Sequence, residues 1–197
     1  MEETEKLQEM WKRNIDKFLK SGVIIEDPKT TYIYDDVEIG EGTRIHPNCI
    51  IKGDTTIGEE CEIGPNSYIR EHCHLAKHVK IGNCVEIKKV SVNEGSKIPH
   101  LTYIGDSTVG KNCNIGCGTI TCNYDGKDKH ETIIGDNVFI GSNVSLVAPV
   151  IIKSGSVIAA GSTITDNVEE NSLAFGRPRQ VNKNDYYKTH KAKHIKE

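Results

Sequence analysis

At a soft prior of about 150 residues per domain, a chain of 197 residues makes one domain with appendages and excludes two of full size. Its 25 Lys and Arg against 28 Asp and Glu leave a net charge of −3, so nucleic acid and anionic membrane are not expected as partners. Hydrophobic residues at 36% and 18 Gly exclude a disordered chain, while 6% aromatic residues and a single Trp require a core of small and branched aliphatic side chains.

The chain opens on Leu7, Met10, Trp11, Ile15, Phe18 and Leu19 at helical spacing, with Gly22 placed as a stop, which predicts one amphipathic helix over 1–22. Its apolar stripe suits a capping or linking role, with partner binding as the alternative. Met1-Glu2-Glu3-Thr4-Glu5 is acidic where a signal peptide is basic, and no run approaches about 18 apolar residues. A cytoplasmic location is therefore expected.

From residue 23 a branched aliphatic residue recurs every sixth position: Ile39, Ile45, Ile51, Ile57, Ile63, Ile69, Leu75, Ile81 and Ile87. The series continues through Val92, Ile98, Ile104, Val109 and Ile115 with two steps shortened to five, and resumes from Ile134 to Ile164. Four positions after each aliphatic comes a small or β-branched residue, among them Thr43, Cys49, Thr55, Cys61, Ser67 and Cys73. A period of six fits neither an α-helix nor one long strand, but it fits short strands separated by corners in a parallel β-helix, with both recurrent positions pointing inward. Gly frequently follows the aliphatic, where a corner requires close packing or unusual φ. Four of the seven cysteines, Cys49, Cys61, Cys73 and Cys113, fall in the small inward position, and no Cys-x-x-Cys is present, so reduced, inert thiols are expected.

The polar stretch between Ile115 and Ile134 breaks the period, so a loop over 121–132 is expected to leave the coil. After residue 180 the period ends, and 181–197 reads as a basic tail with Lys183, Lys188, Lys191, Lys193 and Lys196.

The hexads resemble those of the hexapeptide-repeat acyltransferase superfamily, which implies an all-β fold, a left-handed parallel β-helix with an N-terminal amphipathic helix. The resemblance alone supplies the handedness, since parallel crossovers are right-handed in about 98% of cases. It also implies a homotrimer with active sites between neighbouring prisms. The run Asn112 to Gly126, with Lys129, Thr132-Ile133-Ile134-Gly135-Asp136 and Leu146-Val147-Ala148-Pro149-Val150, is similar to the acetyltransferase domain of a narrower bacterial family. That family fuses glucosamine-1-phosphate N-acetyltransferase to N-acetylglucosamine-1-phosphate uridyltransferase. His100-Leu101-Thr102-Tyr103 carries the same likeness.

Taken position by position, the resemblance implies transfer of acetyl from acetyl-CoA to the amine of glucosamine 1-phosphate, with His100 as general base and Asn123 beside the reacting groups. Arg70, Lys88 and Tyr103 match positions that hold the sugar phosphate, and Asn114 and Lys129 match sugar contacts. Cys117, Asn123, Tyr124, Ser142, Ala160 and Arg177 match the donor site. Cys117 replaces a small apolar residue, Glu71 follows Arg70 where the family tends to have Pro, and Gly176-Arg177-Pro178-Arg179 replaces a Ser-Arg pair. Nothing in the chain resembles the Gly-rich nucleotide motif of the uridyltransferase, so nucleotidyl transfer is not expected of it, and a separate uridyltransferase is one candidate partner. Three alternatives stand beside this reading. The acceptor is a related amino sugar or sugar nucleotide, the chain is a non-catalytic hexapeptide interaction protein, or it is a zinc enzyme using His72, His74 and His78. No complete metal-ligand pattern is visible for the last, and no metal is expected.

Overall fold

The structure, a computed structural model, describes residues 2–191; Lys193 and Lys196 of the expected basic tail lie outside the described residues. Strands of two to seven residues wind into a left-handed parallel β-helix of about 8 turns. Each turn contributes one strand to each of three faces. On the first face Ile45 pairs with Ile63 and Ile63 with Ile81, 18 positions per turn. The second face stacks Ile33, Ile51, Ile69 and Ile87, and the third stacks Ile39 and Ile57. All the recurrent aliphatics are buried, and so are the residues four positions on, or three at the shortened steps (Val90 and Ser107), because both project into the bore. A bore of this width accepts Ile and Val beside Thr, Ser and Cys and leaves no room for rings, which accounts for the low aromatic content.

The corners explain the polar positions of the hexad. A residue with positive φ recurs at Asp36, Asn48, Asp54, Glu60, Asn66, His72, His78 and Cys84, three positions after each aliphatic. Asn and Asp enter the left-handed region more readily than other side chains, so the corners recruit them. The glycines directly after the aliphatics serve the other purpose: a Cβ at Gly82 would collide with the Pro99 carbonyl of the next turn.

Two corners differ. Where the step between aliphatics is five, the strands Glu86–Val92 and Tyr103–Val109 run through the corner without a break, with Lys89 and Asp106 taking the left-handed positions. Second and third faces thereby merge into one 13-stranded sheet, beside a nine-stranded first face. At the same edge, one turn later, the chain leaves the coil between Ile120–Cys122 and Thr132–Ile134. The excursion is 123–131, narrower than the 121–132 expected, because Thr121 and Thr132 are buried at inward positions. The Thr121 hydroxyl accepts from the Gly105 amide at 2.8 Å, so a polar residue is accommodated there.

The helix Glu2–Lys20 buries Ile15 and Phe18 against the first turn. Asn14 Nδ2 donates to the Ile33 carbonyl at 3.0 Å, Arg13 pairs with Asp35 at 2.6 Å, and the Trp11 ring meets the Tyr32 ring edge to face at 4.7 Å. Leu19, counted in the apolar stripe, is exposed. No described helix is long and apolar enough to cross a membrane.

Burial pushes the Cys49 and Cys73 thiols up to about 11 and raises those of Cys61 and Cys113. Since the thiolate is the reactive form, a maleimide or iodoacetamide pulse on the native protein is expected to label Cys84, Cys117 and Cys122 and to spare the four inward thiols until denaturant is added. Peptide mass spectrometry reads the pattern, and rapid native labelling of Cys73 would contradict it.

Candidate functional site

Two edges of the prism collect the residues singled out in the sequence. Along the edge between first and second faces, the second residue after each inward aliphatic forms a column. His100 follows Ile98, Cys117 follows Ile115, Ser142 follows Ile140 and Ala160 follows Ile158. Ile115 pairs with Ile140, Ile140 with Ile158 and Ile158 with Ala174, which places Arg177 at the next turn, its Cδ 3.7 Å from a Cβ built on Gly161. With turns about 4.8 Å apart, the column from His100 to Arg177 extends roughly 19 Å. His100 is exposed at the end of Lys97–His100, its carbonyl accepting from the Thr102 hydroxyl at 2.6 Å. Among the described residues nothing bonds to its imidazole.

The edge between second and third faces carries the cations. Ile51 pairs with Ile69, Ile69 with Ile87 and Lys88 with Gly105, so Lys52, Arg70, Lys88 and Gly105 follow one another, one per turn. Arg70 is already partnered: its Nη1 donates to Glu86 Oε1 at 3.0 Å and its Nε lies 3.8 Å from Glu71. The Glu86 hydrogen bond raises the Arg70 pKa further. Lys88 is held below the ordinary lysine range, first by partial burial, then by the like charges of Arg70 and of Lys129 in the loop. Among the described residues neither Lys88 nor Lys129 has a carboxylate partner.

Gly105 makes the hollow beside these cations. A Cβ there would collide with the Tyr103 hydroxyl and stand 2.8 Å from Asn123 Nδ2, so both polar groups lie over the bare backbone. Asn123 is buried and its Nδ2 makes a short hydrogen bond to Asp106 Oδ2. The loop that delivers Lys129 is held from within. The Asp125 carboxylate accepts from the amides of Lys127 and Asp128 at 2.8 and 2.7 Å and meets His130 Nε2 at 2.7 Å. His130 and these amides hold the Asp125 carboxyl well below the usual carboxylate range. Tyr124 is exposed, its hydroxyl donating to the Gly126 carbonyl at 2.7 Å. A cavity of about 480 Å³ opens on the third face under this loop, lined among others by Lys129, Asp106 and His72.

Arg70, Lys88, Tyr103, Asn123 and Lys129 thus share one edge, and His100, Cys117, Ser142, Ala160 and Arg177 share another. Asn114 joins neither: it is half-buried on the first face, in register between Lys97 and Phe139. Residue reading missed Lys52, Glu86 and Asp106, although Lys52 stands 18 positions before Arg70, as Arg70 does before Lys88. His72, His74 and His78 are dispersed around one turn. His72 pairs with Asp54, His74 Nδ1 lies 3.0 Å from the Thr56 hydroxyl, and His78 Nδ1 lies 3.2 Å from Glu60. Among the described residues no group of three His, Cys, Asp or Glu side chains is arranged to hold a metal ion.

A parallel coil of hexads with its polar residues aligned along the edges is the hexapeptide-repeat architecture, and the chain belongs to the hexapeptide-repeat acyltransferase superfamily. The profile described as bacterial transferase hexapeptide (six repeats) matches residues 131–166, and that of the GMPPB C-terminal domain matches 45–125. Within the superfamily the chain falls with the proteins called bifunctional protein GlmU. That of Carboxydothermus hydrogenoformans is 45% identical over 91% of this chain and 48% of its own length. That of Caldanaerobacter subterraneus subsp. tengcongensis is 49% identical over 88% of this chain and 45% of its own length. The chain therefore spans about half the length of the curated relatives it matches. Among solved structures, the acetyltransferase domain of PglB from Neisseria gonorrhoeae FA1090 covers 77% of this chain and 60% of its own, at 15% identity and a TM-score of 0.44.

Proposed function

We propose that this chain transfers acetyl from acetyl-CoA to the amine of glucosamine 1-phosphate, giving N-acetylglucosamine 1-phosphate. The observation that carries the reading is the cluster of Lys88 with Arg70 and Lys129, whose like charges depress the Lys88 ammonium although Glu71 and Glu86 lie on the same edge. Like charges so placed favour a bound dianion, and a sugar phosphate supplies one. Arg70, tied to Glu86, borders the phosphate, while the Tyr103 hydroxyl, Asn123 and Lys129 face the sugar over the Gly105 hollow.

The donor lies along the other edge, its pantetheine arm over Cys117, Ser142 and Ala160 and its phosphates toward Arg177. Small side chains there leave backbone groups to do the binding. His100 takes the proton that the sugar amine must lose as its nitrogen attacks the thioester carbonyl. The new C–N bond forms as the C–S bond breaks, and the CoA sulfur leaves with the electron pair and is then protonated. No acyl-enzyme is required, and Cys117 lines the track.

One prism cannot bring Asn114 and Tyr103 to the same sugar, because they occupy different faces. A homotrimer, in which a neighbouring prism closes the cleft, supplies the second wall. The GlmU relatives are bifunctional within one longer chain, so the uridyltransferase named as a candidate separate partner is in those proteins a fused one.

The test is turnover with acetyl-CoA and a series of acceptors. Glucosamine 1-phosphate is expected to be acetylated with a kcat/KM at least about tenfold above glucosamine 6-phosphate and free glucosamine, one charge-assisted contact being worth that much. No activity on the 1-phosphate would overturn the assignment.

A further inference from the structure

The edge that carries Arg70 and Lys88 continues one turn further than a monophosphate needs. Lys52 occupies the position before Arg70, its amide donating to the Ile69 carbonyl at 2.8 Å as the Arg70 amide does to Ile87 at 2.9 Å. Its ammonium rests 3.9 Å from the centre of the Tyr34 ring, and among the described residues no carboxylate pairs with it. The same edge feels it: the Glu71 carboxylate is held low by its own backbone amide and then by Arg70, Lys52 and Lys88 together. Three cations at successive turns, about 4.8 Å apart, therefore line one strip of surface, with Lys52 turned back onto Tyr34 and with Glu71 and Glu86 beside Arg70. A monophosphate seated between Lys88 and Lys129 uses the far end of that strip and leaves Lys52 unused. Two phosphates joined by one bridging oxygen span one such step, with the second reaching Arg70 and Lys52. Leaving the Tyr34 face gives up one cation–π contact at a half-buried site, and a phosphate oxygen is the stronger partner.

We propose that Lys52 extends the acceptor edge into a diphosphate site, and that an amino sugar carried on a nucleoside diphosphate is a second acceptor. This rests on reading the Arg70 and Lys88 edge as the acceptor-phosphate site. The sugar stays over Gly105, and the added phosphate and nucleoside run back along the edge toward Lys52.

The experiment measures binding of inorganic phosphate, inorganic pyrophosphate and UDP-glucosamine to the full chain and to Lys52→Met by calorimetry, together with acetylation of UDP-glucosamine. Pyrophosphate is expected to bind about tenfold or more tighter than phosphate, with the ratio falling to within about twofold in Lys52→Met. The KM ratio of UDP-glucosamine to glucosamine 1-phosphate is expected to rise about tenfold in the variant. An unchanged pyrophosphate-to-phosphate ratio in Lys52→Met overturns the proposal. Lys52-dependent pyrophosphate binding without binding of UDP-glucosamine overturns the sugar-nucleotide assignment and keeps the diphosphate site. If glucosamine 1-phosphate is not acetylated while the Lys52-dependent ratio persists, the activity reading fails and the anion site stands. Circular dichroism and the thermal midpoint of Lys52→Met exclude an effect through folding.

Discussion

Replacing His100 with Ala is expected to lower kcat for acetyl transfer by about 10²–10⁴-fold, the usual contribution of a general base. The protein should keep its fold. The imidazole is exposed and, among the described residues, bonds to nothing, while the neighbouring turn is held by the Thr102 hydroxyl on the His100 carbonyl, which the substitution leaves in place. A surface change of this kind shifts stability by no more than about 0.5 kcal/mol. Steady-state kinetics with a thermal melt on the same preparation separates the two effects. A variant that turns over at the wild-type rate would remove His100 from the reaction, and one that melts early would show that the side chain holds the corner instead.

Lys88→Met is expected to act on the acceptor alone. The ammonium is lost from the edge where the phosphate is bound, so the KM for glucosamine 1-phosphate should rise about 10- to 100-fold, the value of one charge-assisted contact to a phosphate. The KM for acetyl-CoA should change little, since Lys88 stands across the second face from the column that begins at His100. The wild-type protein adds a pH signature. Partial burial, Arg70 and Lys129 depress the Lys88 pKa, so its charge is complete below the lowered value and is lost as pH rises through it, below the range where an ordinary lysine titrates. Phosphate affinity follows the same course, and binding in that window takes up a proton because the dianion restores the charged form. Calorimetry in buffers of different ionisation enthalpy reads the uptake. The sign for folding is opposite: a lysine whose pKa is lowered in the native state opposes folding while charged, and stability rises as pH passes through the window. Acceptor affinity that is flat through the alkaline range would contradict the assignment.

Much of the fold was legible in the residues because a β-helix writes its cross-section directly into the chain. Each inward aliphatic from Ile39 to Ile164 is buried, and so is the residue four places on, as the period required, except at the two shortened steps, where Val90 and Ser107 point inward three places on. Alignment on an edge follows from the same count, which is why Arg70 and Lys88 pair at 18 positions and Ser142 and Ala160 do too. Handedness was not legible, since the physics of parallel crossovers favours the opposite hand and only the resemblance supplied it. Nor was the neutralisation of Arg70, which depends on Glu86 lying on the neighbouring turn of the same face at hydrogen-bonding distance. The hollow at Gly105 was hidden for a similar reason. As a residue following an aliphatic, Gly105 looks like the other corner glycines, but the groups a methyl would meet are the Tyr103 hydroxyl and the Asn123 amide. The loop edges were misplaced because polarity was read as exposure, whereas the Thr121 hydroxyl is spent on the Gly105 backbone inside the coil.

The two corners that lost a residue bear on how such a protein can change. Lys88 and Gly105 sit immediately before them, on strands that turn without pausing, and the next turn at the same edge instead carries the excursion 123–131. A single edge has thus been cut short twice and then lengthened, while the stacking above and below keeps its register. Length at that edge is a variable the scaffold tolerates. Restoring the missing residue after Lys88 would move the left-handed position one place along, as at His72 two places after Arg70, and reshape the corner beyond the lysine. Insertions and deletions, rather than exchanges of side chain, are then the coarse adjustment by which a lineage of this architecture retunes what it grips, and point substitutions along the columns are the fine one.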